Sequence, residues 1–179
     1  VNLESLLHPA SILLVIGFIC GLASPQFQNR HKMMFCKFLA DGFTGLYLIT
    51  LGGISGGCAA LIAATGALIQ SLTPHKHLRK TIWLRMIVAL VLSAASIYFV
   101  YQHPLDLLPI TMVIACRFGE LQPEAKRIKM VYFLTSFPWM IYYFMNAFYL
   151  PLFVCIIGSM SLLVGIIRHQ YQSTEETKI

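Results

Sequence analysis

Charge is what this chain is short of. Only 11% of its 179 residues are charged, against 58% hydrophobic, and its mean hydropathy is +0.73. Soluble domains carry roughly 25% charged residues, so the chain has too little charge to coat a water-facing surface. Acids are the scarcer sign, seven Asp and Glu against thirteen Lys and Arg. The resulting net charge of +6 does not point to nucleic acid, because basic residues facing anionic lipid head groups give the same excess. There is no C-x-x-C pair. Cys20, Cys36, Cys58, Cys116 and Cys155 all lie in or at the edge of apolar runs, where they read as small packing residues rather than as a metal or disulfide framework. No Ser-His-Asp arrangement, H-E-x-x-H or phosphate-cradling glycine loop occurs, so no enzyme, metal site or cofactor is expected. The first eight residues hold Glu4 and no Lys or Arg, unlike the basic leader of a signal peptide.

What is present is ordered. Every Lys and Arg falls in one of four clusters: Arg30, Lys32 and Lys37; Lys76, Arg79, Lys80 and Arg85; Arg117, Lys126, Arg127 and Lys129; Arg168 and Lys178. Apolar runs separate them, and the alternate gaps between runs carry none. A bilayer core takes about 20 apolar residues per helix. Seven segments fit, at residues 9–26, 33–51, 53–72, 82–101, 105–117, 131–146 and 149–167. The fifth is short and contains Asp106 and Pro109. Lys and Arg are retained on the cytoplasmic side of a membrane. The clusters follow segments one, three, five and seven, so the N-terminus is expected outside and the C-terminus in the cytoplasm of a bacterial inner membrane.

This divides the chain into four parts. Residues 1–72 form a first three-helix bundle, and 73–104 a basic loop and a linker helix. Residues 105–168 form a second three-helix bundle, and 169–179 a disordered cytoplasmic tail. Two triplets joined by one helix must share an orientation, which makes them a parallel repeat. A shift of 95 residues overlays Leu46, Tyr47 and Ile62 on Ile141, Tyr142 and Ile157. The expected fold is all-α, with seven spans in a 3+1+3 arrangement.

Two stretches resemble known families. Ser24-Pro25-Gln26-Phe27-Gln28-Asn29-Arg30-His31-Lys32 resembles the motif of the PQ-loop superfamily, which includes the SWEET sugar transporters. The run from Ser24 through Leu39-Ala40-Asp41-Gly42 to Gly52-Gly53-Ile54-Ser55-Gly56-Gly57, together with Leu107-Leu108-Pro109 and Ser136-Phe137-Pro138-Trp139-Met140-Ile141-Tyr142, more closely resembles the bacterial inner-membrane YgjV-type family. The resemblance covers residues 10–168. It implies a seven-helix membrane protein and names no substrate. Two departures stand against sugar transport: segment two lacks a proline, and segments three and seven lack Asn.

The candidate residues follow. Asp41 is the one acid deep within a strongly apolar segment, where an ionised acid costs about 2.5–3.5 kcal/mol. It reads either as a proton-coupling carboxylate or as a partner of Lys37 at i−4. Pro25 and Pro138 read as hinges, Pro25 alternatively as a helix end. Gln26, Tyr47, Trp139, Tyr142 and Asn146 are candidates to line a solute path, with Trp139 equally fitted to packing. Gly17 and Gly21, and the Gly and Ala residues of 52–67, let helices approach closely. Glu120 and Glu124 read as a cytoplasmic ion-pair cluster with Arg117, Lys126 and Arg127, Glu120 alternatively as a gate partner. The function expected is a small-solute transporter with a central site between the bundles. Its partners would be the lipid bilayer, an unknown small solute and protons. The alternative is a non-transporting subunit of a larger membrane complex.

Overall fold

Long apolar runs leave the backbone one economical way to satisfy its own hydrogen bonds, the helix. The computed structural model describes residues 10–74, 80, 82–101, 103–120 and 125–176. Seven α-helices stand among them: α1 Ser11–Ala23, α2 Arg30–Thr50, α3 Ile54–Leu72, α4 Ile82–Val100, α5 Leu107–Glu120, α6 Ala125–Met145 and α7 Tyr149–Glu176. Two 3-10 turns, Ser24–Gln26 and Pro104–Asp106, precede α2 and α5. No strand occurs among the described residues. Pro9, Lys76, Arg79, Glu124 and Lys178 lie outside them.

Local chemistry sets the ends. Asn29 caps α2, its side chain accepting from the His31 and Lys32 amides at 2.9 and 3.3 Å, which satisfies two donors the helix start leaves open. Pro109 falls in the first turn of α5, where a missing N–H costs little. Helix α7 runs on to Glu176, past residue 168, where the sequence reading ends the span and begins a disordered tail. The Gln and Glu residues there favour helix, and neither Gly nor Pro follows Gly165 to stop it.

Six helices close a ring in the order α1, α2, α3, α5, α6, α7, with α7 back against α1, while α4 packs outside against α3 and α5. Hydrogen bonds give the relative directions. The start of α2 and the ends of α3 and α5 meet through Arg30, Gln70 and Glu120. The starts of α3 and α5 and the end of α6 meet through Ser55, Asp106 and Tyr142. Two helices, Ile54–Leu72 and Tyr149–Arg168, are long and apolar enough to cross a membrane, and Ser11–Gln26 and Met86–Phe99 are shorter apolar helices. Large apolar side chains cover the outside, among them Ile12 on α1, Trp83, Tyr98 and Phe99 on α4 and Met160 on α7. Apolar patches of that extent belong against lipid or another protein, not water.

The turns α2–α3 and α6–α7 have the same construction. In the first, the amides of Gly52 and Gly53 donate to the carbonyls of Ile49 and Leu48. In the second, Ala147 and Phe148 donate to Phe144 and Tyr143. Each residue of the second set lies 95 positions after its counterpart. The left-handed position is Gly52 in one (φ 81°) and Ala147 in the other (φ 56°). Glycine adopts that conformation freely and alanine does not.

Candidate functional site

The ring encloses a cavity of about 200 Å³, lined by all six of its helices and not by α4. That volume suits about six waters or a solute smaller than those held by drug-sized pockets. Small residues open it: Gly17 and Gly21 on α1, Ala60 and Ala63 on α3 and Gly158 on α7. Its charged lining is Lys37, Asp41 and Arg117. Lys37 Nζ lies 2.5 Å from both Asp41 carboxylate oxygens and 5.0 Å from the centre of the Tyr132 ring, a cation–π distance. Thr135 Oγ1 lies 3.2 Å from Cys116 Sγ. Trp139 packs edge-on to Tyr142 and lies tilted over Tyr143, ring centres 6.0 and 5.5 Å apart.

The lining positions recur at the spacing of the two turns. On α2, Lys37, Ala40, Asp41 and Thr44 line the cavity. So do Tyr132, Thr135, Ser136 and Trp139, each 95 residues later on α6. Phe18, Gly21 and Leu22 on α1 correspond in the same way to Val113, Cys116 and Arg117 on α5, and Ala60 and Ala63 on α3 to Cys155 and Gly158 on α7. The geometry repeats and the chemistry does not: Asp41 answers to Ser136, and Arg117 to Leu22.

Below the cavity, at the end where the basic residues gather, lies a buried polar network. Glu120 is fully buried, with Arg30 and Arg117 each 5% exposed. Arg117 Nη2 lies 2.6 Å from Glu120 Oε1 and donates to the Ala63 carbonyl at 3.1 Å. Tyr132 donates its hydroxyl to Glu120 Oε1 at 2.6 Å. Gln70 donates to Glu120 Oε2 and accepts from Arg30, which also donates to the Glu120 carbonyl at 3.0 Å. The basic cluster is thus not only a head-group contact, since part of it turns inward to compensate a buried acid. The guanidinium of Arg117 lies against Gly66, where any side chain would overlap it.

At the opposite end the groups form a relay. The Gly56 amide, one of the α3 donors without an intrahelical partner, donates to the Tyr142 hydroxyl at 3.1 Å. Ser55 donates to Asp106 at 2.7 Å. Its hydroxyl hydrogen is thereby used, so in the 3.0 Å contact between them Tyr142 is the donor. Asp106 also accepts from the His103 amide at 2.9 Å.

Of the residues singled out in the sequence, Asp41, Trp139 and Pro25 line the cavity. Pro25 sits in the 3-10 turn after α1, its backbone against Gly165 of α7. Pro138 lies within α6, which continues through it. Gln26 donates to the Ser161 hydroxyl on α7 at 3.0 Å. Tyr47 is buried against Ala10, Leu14 and Leu150, outside the cavity. Tyr142 belongs to the relay, and exposed Asn146 donates to its carbonyl at 2.9 Å. Sequence reasoning missed the joint burial of Arg30, Gln70, Glu120 and Tyr132, and the Ser55–Asp106 pair. Its one available signal was Gln70, a polar residue one turn inside the end of an otherwise apolar helix.

Residues 9–173 match the Imp-YgjV family of bacterial inner membrane proteins, and the chain belongs to that family. No curated protein and no solved structure matches it.

Proposed function

We propose that this inner membrane protein is a multi-pass carrier for a small solute, which it holds in the central cavity. The observation that carries the reading is one partly polar cavity, placed where all six ring helices meet, with a buried polar network at its base. The 95-residue recurrence of both turns and lining supports a parallel repeat, the 3+1+3 plan of PQ-loop and SWEET carriers. The two networks then hold the α3–α5 seam shut, and the site opens along the opposite one.

The seam between α1 and α7 is the better candidate to move. It is bridged by Gln26 to Ser161 and by Ser161 to the Leu22 carbonyl at 3.1 Å, with Pro25 at the helix end as the hinge. Pro138 is the corresponding weak point of α6, since its ring removes one helix hydrogen bond. Asp41 is the coupling group: protonation releases Lys37 and changes the charge of the site. The basic clusters place the N-terminus outside and the C-terminus in the cytoplasm.

The test does not require the solute to be identified in advance. Proteoliposomes are loaded with an isotopically labelled bacterial extract, and the efflux is read by mass spectrometry. Protein-dependent loss of at least one small solute, reduced in Asp41→Asn, is expected. Identical efflux from vesicles with and without protein would leave the non-transporting subunit as the account.

A further inference from the structure

The basic residues of the bundle are not all held alike. Lys37 is paired with Asp41 and Arg117 with Glu120. Lys129 on α6 has no such partner. It is 2% exposed, and it makes neither a hydrogen bond nor an ion pair among the described residues. Buried charges are ordinarily paired, and a lysine near a helix end ordinarily carries its ammonium out to water. The charge that Lys129 does meet has its own sign, that of Arg168 on α7. Burial and that neighbouring cation together hold the Lys129 ammonium below the usual lysine range. Helix geometry explains the meeting. Lys129 lies seven residues before Ser136, and so on the same face of α6. The Ser136 carbonyl accepts from Cys155 Sγ on α7 at 3.7 Å, which sets that face against α7. Arg168, thirteen residues after Cys155, then lies about 9 Å beyond Lys129 along the bundle. Side chains lean toward the N-terminus of their own helix. Arg168 therefore leans inward and Lys129 outward, and the two heads converge on one gap. Lys126, half-buried one turn before Lys129, borders it.

Toward the middle of the bundle the outer surface beside this gap is apolar. Phe137 stands two turns from Lys129, and Val164 and Met160 one and two turns from Arg168, all three exposed. Cations at one end of an apolar strip match an amphiphile with an anionic head. We propose that Lys129 and Arg168 hold the phosphate of an anionic phospholipid from the leaflet on the side of the basic clusters, its acyl chains lying along α6 and α7. The phosphate supplies the partner that Lys129 lacks and separates two like charges. A zwitterionic lipid fits less well, because its head brings a further cation to a gap that already holds two. Neither Lys129 nor Arg168 lines the central cavity, so the site is independent of what the cavity carries.

The experiment uses the full chain in neutral detergent micelles, which carry no surface potential of their own. Phosphatidylglycerol is titrated against phosphatidylcholine, and bound lipid is counted by native mass spectrometry. One saturable phosphatidylglycerol is expected, held about ten-fold more tightly than phosphatidylcholine. Lys129→Met should weaken it by about ten-fold, and Arg168→Gln by a smaller factor. Arg168 is exposed, so its variant carries the test if Lys129→Met does not fold. Lys32→Gln removes the same charge from an exposed position on α2 and should change binding by less than about two-fold. Lys129→Met also removes a buried unpaired charge, so without phosphatidylglycerol its thermal midpoint should rise above that of the unaltered chain. A lower midpoint would mean that Lys129 has a partner within the protein, and would overturn the site. Equal losses in all three variants would mean diffuse attraction to the basic end, and would overturn a seated lipid. No preference for phosphatidylglycerol would overturn the role of the cations. Displacement of the lipid by glycerol phosphate at millimolar concentration would reassign the gap to a soluble phosphate ester and overturn the lipid as its occupant.

Discussion

The two triplets meet along two seams that the 95-residue spacing makes equivalent, and they are held together very differently. Between α3 and α5, Gln70 bonds Glu120, Arg117 bonds the Ala63 carbonyl, and Ser55 bonds Asp106. Between α7 and α1 the position of Gln70 is Gly165, and that of Glu120 is Pro25. These two also meet: a Cβ on Gly165 would lie 2.8 Å from the Pro25 carbonyl oxygen. One seam is clasped by ionic hydrogen bonds and the other by close backbone packing and the neutral bonds of Gln26 and Ser161. Ionic clasps are costly to break in a low-dielectric interior. Packed small residues separate with less loss. Under the carrier proposal, the difference makes α3–α5 the seam expected to stay fixed and α1–α7 the one expected to open.

The most damaging way to probe that contrast is Glu120→Ala. It strands Arg30 and Arg117 in the interior, and the loss is about 3–5 kcal/mol, read as folded yield and thermal midpoint in detergent. An equal loss from Gln26→Ala on the other seam would erase the contrast, because that variant is expected to cost under about 1 kcal/mol. Next is Gly56→Val. A Cβ at Gly56 would lie 2.7 Å from the Tyr142 ring, and overpacking of this kind costs about 1–3 kcal/mol. Gly56→Val should destabilise more than Tyr142→Phe, which removes only the hydroxyl of the relay and costs about 1 kcal/mol.

The smaller effects sharpen the comparison of the two turns. Ala147→Gly relieves a left-handed alanine (φ 56°) and should stabilise the protein by about 1 kcal/mol. Gly52→Ala at the equivalent turn (φ 81°) should destabilise it by a similar amount. Same-sign shifts would mean that the two turns are not equivalent. Asp41→Asn keeps an amide oxygen to accept from Lys37, so it is expected to move stability by about 1 kcal/mol. Yet it should slow the protein-dependent efflux of solute from proteoliposomes.

Much of this arrangement is legible in the chain, and the division follows contact range. The seven helices are legible because apolar runs and basic gaps are local signals. The Lys37–Asp41 pair is legible because it spans one helical turn. The 95-residue register shows as a few overlaid residues, and the two turns and the cavity lining recur at it. Glu120 is not legible as a buried acid. Three basic residues sit near it in sequence and suggest a solvated cluster. Its burial depends on Gln70 and Arg30, which lie 50 and 90 residues away. Tyr47 and Tyr142 both read as path residues in the sequence, and the fold buries both away from the cavity. Both helices are apolar on several faces, so sequence alone does not say which face turns inward.

The most direct test of a cavity that opens along α1–α7 is accessibility from the two sides of the membrane. Thr44 lines the cavity. In a background without the five native cysteines, Thr44→Cys would be labelled with an impermeant thiol reagent in right-side-out and inside-out vesicles. The account predicts that Gln26→Ala selectively accelerates labelling from the side of the basic clusters. No labelling from either side, with or without Gln26→Ala, would contradict it.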